Sequence, residues 1–514
     1  MGQGKARPVK LLPERRKSLI RQVSAIPSES QLRRCEAVLM LLAPGADAAL
    51  GRWPGGAALR RERARRPRAA GSVWSALLPG AAPTRVVVGE LPAGADAFQQ
   101  LSLAARVVRD GLAQEPRRVA LGAPTTGRPD PSPPGALLAA LLAATEGQPQ
   151  QKSRPARTFQ PAEVLVCGPT DVATALAVED GAHLARWLTA LPPNVLFPGS
   201  YRRALKALAA RHGWRMQVYS EAALRRLGAG AFVAVASGSR RRDAALVRLQ
   251  YRPRGAARRG GRPIALLGKG ICFDTGGHNL KSAKSMLDMH IDMAGSAVAV
   301  GALAALTASG YPRPVDAWLA LAENRIGPAA YTQQDVLTAA NGTTIQVTHT
   351  DAEGRMVLAD SLALASRTAP ACIIDFATLT GACVYALTER LSGAFTNRPG
   401  LRALLERAGE RSGERLHAFP MPADFDQDLD SPVADVVQCL IDGKGDHIYA
   451  ARFLSRFVGS GIPWAHIDLS SAMRTGGLAH VARPITGFGV RLAVALLADE
   501  EFHRALGARA RAGA

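Results

Sequence analysis

The run from Thr350 to Arg355 carries two carboxylates and a guanidinium within five residues, those of Asp351, Glu353 and Arg355. Its flanks are apolar, most clearly in the Met-Val-Leu-Ala run at 356–359. Charged groups in an apolar region cost free energy unless a partner neutralises them. Divalent cations are suitable partners for paired carboxylates, so the run is a candidate metal site.

A second cluster lies upstream, where an apolar run ends in Gly268-Lys269-Gly270 and Asp274 follows five residues after Lys269. Ligand sites in parallel sheets gather at the carboxyl ends of strands, and glycines let the backbone approach a ligand closely. The segment is not a phosphate loop, because Lys269 precedes the glycines and no Ser or Thr follows it. We therefore interpret it as part of the same site.

Two further aspartates, Asp288 and Asp292, stand four residues apart in a predicted helix and would share one helix face. Asp292 adjoins a small apolar run and is the better ligand candidate, whereas Asp288 is expected to be solvated. Together, Asp274, Asp292, Asp351 and Glu353 would repel one another unless cations neutralised them. Such oxygen ligands favour Mg, Mn or Zn, and two ions could activate a water and stabilise an oxyanion.

Each of these residues alone has an ordinary structural explanation. Asp274 could cap a loop, Lys281 could be a surface lysine, and Arg355 could form a salt bridge with Glu353. The sequence has no His-Glu-x-x-His motif, so a histidine-based zinc site is not indicated. The ordered pair of motifs is what favours a carboxylate metal centre.

The elements around these motifs alternate between strand-like and helix-like patterns, which predicts an α/β fold. From Thr84 onward, strands are predicted at 85–89, 163–167, 232–236, 264–267, 315–321 and 373–376. Helices are predicted at 97–112, 171–191, 200–212, 287–309, 357–366 and 401–412. The stretches 122–134 and 146–157 are predicted to be loop or linker. We expect a smaller N-terminal α/β domain (1–165) and a larger catalytic domain (166–514) whose mostly parallel central sheet is flanked by helices.

Composition indicates a globular protein, since 47% of the 514 residues are hydrophobic and 21% are charged. No uninterrupted apolar run is long enough for a transmembrane helix, and no apolar segment near Met1 resembles a secretory signal. The six cysteines are scattered singly, which is typical of a reducing compartment. We expect a cytoplasmic protein with no membrane association.

The net charge of +22 is concentrated in basic segments, since residues 1–70 hold 16 Lys and Arg against 5 Asp and Glu. A second basic run spans Arg240 to Arg262. Such density can mark a nucleic-acid surface, but the sparse aromatic residues weaken a single-strand interpretation. We favour solvated arginine-rich faces, with DNA binding as the alternative.

The two motifs resemble the M17 leucyl aminopeptidase family. The run from His349 to Asp360 is similar to the family signature Asn-Thr-Asp-Ala-Glu-Gly-Arg and its continuation. The segment 268–277 is similar to Gly-Lys-Gly-x-x-Phe-Asp-[ST]-Gly-Gly. Lys281 matches the active-site lysine of the family, and the Asp-Met-x-Gly that begins at Asp292 matches another of its motifs. The resemblance covers residues from about 165 to about 500.

This resemblance implies a dinuclear metallo-aminopeptidase that hydrolyses the N-terminal residue from peptides, with attack by a metal-bridging water. Lys269, Asp274, Asp292 and Glu353 would hold one divalent ion, and Asp274, Asp351 and Glu353 would hold the other. The ions would be Zn or Mn, with Mg and Co as further candidates.

The resemblance also implies the remaining roles. Lys281 would polarise the scissile carbonyl, and Arg355 would hold a bicarbonate proposed as general base. Met289, Thr378 and Leu379 match substrate-binding positions, and an apolar pocket there implies a preference for Leu-like residues. A homohexamer is implied as well, and some bacterial members of the family bind DNA.

Three stretches depart from the family pattern. His349 stands in place of the usual Asn, and 331–336 reads Tyr-Thr-Gln-Gln-Asp-Val in place of Arg-Pro-Gly-Asp-Val. The triplet His278-Asn279-Leu280 is more polar than its family counterpart. None of these changes removes a metal ligand, so they bear on substrate preference and subunit contacts rather than on activity.

Overall fold

The computed structural model describes residues 9–23, 26–66, 69–79, 83–125, 130, 132–255 and 261–507. Its strands are β1 (Leu19–Val23), β2 (Ala37–Leu42), β3 (Val73–Leu78), β4 (Thr84–Glu90), β5 (Arg118–Gly122), β6 (Glu163–Cys167), β7 (Arg215–Ser220), β8 (Ala245–Tyr251), β9 (Ile264–Asp274), β10 (Val315–Asn324), β11 (Val336–Thr338), β12 (Thr344–Gln346), β13 (Cys372–Ala377), β14 (Ser392–Thr396), β15 (Leu416–Ala418), β16 (Val436–Val437) and β17 (Trp464–Asp468).

The α-helices are α1 (Glu29–Leu32), α2 (Asp47–Gly51), α3 (Gly56–Ala64), α4 (Ala97–Gly111), α5 (Ser132–Thr145), α6 (Val172–Thr189), α7 (Pro198–His212), α8 (Glu221–Arg226), α9 (Gly230–Ala236), α10 (Ala283–Met286), α11 (Ala294–Ala308), α12 (Glu353–Ser366), α13 (Gly381–Leu387), α14 (Arg402–Ser412), α15 (Asp446–Ser455), α16 (Val490–Leu497) and α17 (Glu500–Gly507). Short 3-10 helices lie at Met289–Ile291, Thr388–Arg390, Pro399–Leu401 and Ala423–Leu429. Within the described residues, no helix is both long and apolar enough to cross a membrane.

The first sheet has the strand order β1-β6-β5-β2-β4-β3, with parallel pairing except between β3 and β4. The sequence pattern placed the start of the α/β pattern at Thr84, but β1, β2 and β3 precede it. Every residue of β2 is buried, because a central parallel strand has both faces covered and reads as a continuous apolar run. The predicted loop at 122–134 contains the start of α5, and its residues 126–129 and 131 lie outside the described part.

The central sheet has the order β15-β14-β17-β13-β9-β10-β8-β7. Its middle is parallel, since β9 pairs in parallel with β10 and β13, and β13 with β17. The pairs β8–β10, β7–β8 and β14–β17 are antiparallel, and a small sheet of β11, β12 and β16 lies apart. The predicted fold class, α/β with a mostly parallel central sheet, is confirmed.

Helices cover both faces of this sheet. Along β10, Ala317 and Leu319 belong to a core shared with α6, α7, α11 and α16. The alternate residues Trp318 and Ala320 belong to a second core shared with α9, α12 and α15. This alternation follows from the period of two in a strand, and it fixes the sheet between two helical layers.

Most predicted elements agree with the structure, but the strand predicted at 232–236 is wrong. These residues form most of helix α9. A short apolar run does not distinguish a strand from a buried helix by periodicity alone. The helix is buried against α12, where the backbone N–H of Phe232 donates to Asp360 Oδ2 at 2.7 Å.

The helix predicted at 287–309 is also wrong in its first turns. Helix α11 begins at Ala294, and Asp288 and Asp292 instead flank the 3-10 helix Met289–Ile291. The two aspartates therefore do not share an α-helical face. Asp292 is held out of the helix by polar contacts with the strands beside it, described below.

The six strands of the first sheet lie between residues 19 and 167, and those of the central sheet lie between 215 and 468. The boundary near residue 165 stays a prediction. The two parts also touch, since α5 packs against α6 and α4 against α14.

Helix α11 approaches the central sheet closely at two glycines. A Cβ atom added to Gly268 in β9 would lie 2.4 Å from the carbonyl oxygen of Gly295, and one added to Gly295 would lie 2.0 Å from the carbonyl oxygen of Phe376 in β13. Both distances are too short for real atoms, so only glycine fits at this contact. The contact places the start of α11, and with it Asp292, beside β9 and β13.

We expect Gly295→Ala to lower the free energy of unfolding by about 2–3 kcal/mol, because the added methyl group must displace backbone of β13. Urea or thermal unfolding would measure the change. Gly400→Ala is the matched control, since a Cβ atom there would meet nothing within 4 Å. Equal stability of the two variants would contradict this account of the contact.

Candidate metal centre

Four neighbouring strands end in polar residues at the same edge of the central sheet. Asp274 ends β9, Asn324 ends β10 and Asp468 ends β17, while Thr378 follows the last residue of β13. The carboxyl ends of parallel strands are where ligand sites form in such sheets. The fold thus brings together residues that are far apart in sequence.

The loop before α12 brings Asp351 and Glu353 to this edge. Its position is fixed at Thr350, whose carbonyl oxygen accepts hydrogen bonds from Asn324 Nδ2 at 3.0 Å and from the Tyr331 hydroxyl at 2.8 Å. The Thr350 hydroxyl donates to the Gly276 carbonyl at 2.7 Å. Glu353 is the first residue of α12, where the helix dipole favours a negative charge.

One cavity of about 370 Å³ gathers all the site residues that the sequence predicts. They are Lys269, Asp274, Lys281, Met289, Asp292, Asp351, Glu353, Arg355, Thr378 and Leu379. Their proximity is an observation, whereas the role of each remains a prediction.

The carboxylates are close enough to share a cation. One oxygen from each of Asp274, Asp351 and Glu353 lies within 4.8 Å of the other two, a spacing that a single divalent ion can bridge. Asp274 and Glu353 are almost fully buried, with 2% and 1% exposure, and so is Asp292, with 5%. Solvent therefore does little to screen their mutual repulsion.

Two lysines lie among these acids. Lys269 Nζ is 2.8 Å from Asp292 Oδ1 and 2.9 Å from Glu353 Oε1. Lys281 Nζ is 2.9 Å from Asp274 Oδ2 and 2.6 Å from Asp351 Oδ1. The ammonium groups thus compensate part of the negative charge.

The pKa values record this competition between burial and charge. Burial and the neighbouring carboxylates raise the pKa of Asp274 well above its usual value, and burial raises that of Asp292 to about 7. Burial alone would raise the pKa of Glu353, but the two lysines lower it. Burial would lower the pKa of Lys269, but the nearby carboxylates have the larger effect and raise the pKa. Lys269 must therefore lose a stabilised proton before it can offer a lone pair to a metal.

The donor set fits divalent cations. Asp292 Oδ2 and Glu353 Oε2 are buried and have no hydrogen-bond partner in the described part of the chain. Such oxygens are costly to bury unless something satisfies them. Carboxylate oxygens are ligands that Mg, Mn and Zn accept. The two unpartnered oxygens therefore indicate a metal site independently of the family resemblance.

Arg355 has a partner that the sequence did not indicate. Its Nη2 atom is 2.8 Å and 2.7 Å from the two carboxylate oxygens of Asp446, and its Nη1 donates to the Gln438 carbonyl at 3.3 Å. Nε is buried without a partner among the described residues. Asp446 stands in a Gly-Lys-Gly-Asp run far from both motifs, so no local signal could have identified it.

Further polar contacts fix the floor of the cavity. Asp468 accepts hydrogen bonds from the backbone N–H of Leu379 at 3.1 Å and from the Thr380 hydroxyl at 2.6 Å. The Thr378 hydroxyl donates to Asp292 Oδ1 at 2.8 Å, which holds Asp292 in place. His349 is half-buried, and its Nδ1 accepts from the backbone N–H of Asp351 at 3.3 Å.

Several known proteins are similar to this chain over more than half of its length. The model of the cytosol aminopeptidase family, catalytic domain, matches residues 183–494. A probable cytosol aminopeptidase of Parasynechococcus marenigrum is 40% identical over 364 residues, which are 69% of this chain and 74% of that protein. Another, of Syntrophotalea carbinolica, is 42% identical over 321 residues, or 62% of this chain and 63% of that protein.

Solved structures resemble almost the whole chain. The bottromycin maturation enzyme BotP in complex with Mn superposes with a TM-score of 0.77 at 33% identity and covers 91% of this chain and 99% of its own. A mutant of tomato leucine aminopeptidase shares the fold, with a TM-score of 0.81 at 24% identity over 95% of this chain and 98% of its own. The chain belongs to the cytosol aminopeptidase family and is a metal-dependent aminopeptidase, an enzyme that removes N-terminal residues from peptides.

Proposed function

We propose that this aminopeptidase uses two divalent ions and prefers peptides with a Leu-like N-terminal residue. The observation that carries the proposal is the group of four carboxylates, three of them buried, and two lysines around one cavity. One ion would be held by Lys269, Asp274, Asp292 and Glu353. The ligands of the second ion would be Asp274 and Glu353 together with Asp351.

The metal ions would be Zn or Mn, with Mg and Co as alternatives, because the donors are carboxylate oxygens and one amine. When bound, such ions activate water and polarise a carbonyl oxygen. Mn in the BotP complex supports this range of ions without choosing among them.

Lys281 is the residue we propose to stabilise the developing oxyanion. It lines the cavity, and its contacts with Asp274 and Asp351 aim its ammonium group at the metal ligands. Those carboxylates outweigh the effect of burial and raise the pKa of Lys281. It would therefore stay charged and donate to the scissile carbonyl.

The N-terminal side chain of the substrate would lie against Met289 and Leu379, with Thr378 between the pocket and Asp292. An apolar pocket of this kind favours Leu-like residues and discriminates only modestly between chains that differ by a methylene.

Partners and compartment are proposed on family grounds. We propose a homohexamer in the cytoplasm. DNA binding through the basic segments is the weaker alternative, and part of the run from Arg240 to Arg262, residues 256–260, lies outside the described residues.

Removing the metals should abolish activity. Prolonged chelation followed by dialysis should eliminate hydrolysis of leucyl-arylamide, and Mn or Zn should restore it, because the two lysines compensate only part of the carboxylate charge and cannot activate a water as a divalent ion does. Metal content measured on the same samples should fall and recover in parallel. Full activity in samples that contain no metal would refute the proposed function.

Lys281→Ala should lower kcat by at least about a hundredfold, the scale expected for losing one oxyanion-stabilising donor. Lys284→Ala is the matched control, because Lys284 is an exposed lysine in the same segment and does not line the cavity. Steady-state kinetics on leucyl-arylamide would measure both variants. A near-normal kcat in Lys281→Ala would remove the residue from its proposed role.

Bicarbonate at Arg355, which the family resemblance implies, would have to share the guanidinium with Asp446. We expect removal of bicarbonate to change wild-type kcat less than about twofold, because both oxygens of the Asp446 carboxylate already contact Nη2 of this guanidinium. In Asp446→Ala, added bicarbonate should raise kcat by about fivefold as it takes the vacated position.

Kinetics in bicarbonate-depleted buffer would test this expectation, with Asp442→Ala as the control, since Asp442 is exposed in the loop just before α15, the helix that Asp446 begins. Strong bicarbonate dependence of the wild type would show that Asp446 does not replace the anion.

A further inference from the structure

A second cavity, of about 610 Å³, lies between helices α4 and α5 and the loop 474–483. It is named the arginine cavity here because five arginines line it: Arg106, Arg109, Arg390, Arg474 and Arg483. All of its lining residues belong to the described part of the chain, and none of them is Asp or Glu. The cavity is therefore strongly positive.

These arginines form no ion pairs with the described residues, although the Glu146 carboxylate, which is paired with Arg186, also attracts Arg483. None of the five has a carboxylate oxygen within ion-pair distance there, and Arg106 and Arg483 donate only to the backbone carbonyls of Gly71 and Glu146. Arg483 Nη1 is buried and has no hydrogen-bond partner in that part of the chain. Nearby Arg186, by contrast, is paired with two glutamates. Guanidinium groups gathered without acids repel one another, and an anion would relieve that repulsion.

The wall of the cavity is preformed. In the loop 474–483, Leu478 and Val481 exchange backbone hydrogen bonds of 2.9 and 3.0 Å, and the N–H of Arg474 donates to the Pro484 carbonyl at 2.8 Å. Phe98 adds an apolar surface, and the Arg415 guanidinium lies 3.9 Å from the centre of its ring. The cavity thus offers bidentate donors for carboxylates beside apolar surface for aliphatic groups.

Two chain segments connect the arginine cavity to the metal centre. Glu389 lines the metal cavity, and the next residue, Arg390, lines the arginine cavity. In the same way Met473 lines the first and Arg474 the second. Consecutive Cα atoms are ~3.8 Å apart, so the two cavities share a wall.

We propose that the arginine cavity binds the C-terminal carboxylate, and acidic side chains, of peptide substrates whose N-terminal residue lies at the metal centre. The inference rests on the proposed function. Every peptide substrate carries a carboxylate at its far end, and an extended peptide spans ~3.3–3.6 Å per residue. A chain of a few residues leaving the metal centre can therefore reach the adjoining cavity.

The test uses pairs of leucyl peptides, from dipeptides to hexapeptides, that differ only in a C-terminal carboxylate or amide. At the lengths that reach the cavity, kcat/KM should favour the carboxylate by about tenfold, as expected for a charge-assisted hydrogen bond. The preference should weaken as salt is added, because the site is partly open to solvent. Equal kcat/KM for acid and amide at every length would overturn the proposal.

The double variant Arg106→Gln with Arg109→Gln, on one face of α4, should reduce this preference to below about threefold. The double variant Arg226→Gln with Arg240→Gln removes the same net charge at two exposed arginines outside the cavity and should keep the preference. If the double variant in α4 kept the full preference for the carboxylate, the preference would come from the overall positive charge of the protein, and the proposal would be overturned.

Binding of inorganic tripolyphosphate, measured by calorimetry, distinguishes a free anion from a peptide carboxylate as the ligand of the arginine cavity. Arginine-dependent binding of tripolyphosphate, without any preference for peptide acids, would assign the cavity to a free anion instead. Failure of all peptides to be hydrolysed would instead count against the proposed function, so the two failures are distinguishable.

Discussion

The burial of several carboxylates around one cavity is the constraint on which the rest of the structure depends. Asp274, Asp292 and Glu353 are each at least nine-tenths buried, and Asp351 lies beside them. In a low-dielectric interior such charges cannot all remain ionised without cations. The two lysines supply part of that compensation, and the unpartnered oxygens of Asp292 and Glu353 mark what remains for metal ions to supply.

The fold holds this unfavourable arrangement in place through contacts that carry little charge themselves. The glycines at 268 and 295 let α11 lie against the sheet, so that Asp292 stands directly beside β9. Hydrogen bonds from Asn324 and Tyr331 to Thr350 fix the loop that carries Asp351. Positional order of this kind is necessary because mutually repelling groups would otherwise move apart or become protonated.

The sequence could predict those features that depend on residues close together in the chain. Residue types and spacing indicated Asp274, Asp292, Asp351 and Glu353 as candidate ligands, whereas the roles predicted for Lys269 and Lys281 came from the family resemblance. Buried parallel strands such as β9 and β13 were recognisable as apolar runs, but the same kind of run at Phe232 formed a helix, because packing against α12 rather than periodicity decided it. Asp446 could not be found, since its pairing with Arg355 joins segments that are remote in sequence.

The distribution of charge gives the proposed substrate path a direction. The metal centre gathers carboxylates, whereas the adjacent arginine cavity gathers guanidinium groups. A peptide is itself polar in this sense, with a cationic amine at one end and a carboxylate at the other. The guanidinium groups attract the carboxylate and repel the amine, so they favour one orientation of the peptide and disfavour the reverse. An enzyme that cuts only at the N-terminus benefits from this, because a peptide bound backwards would place the wrong bond at the metal centre.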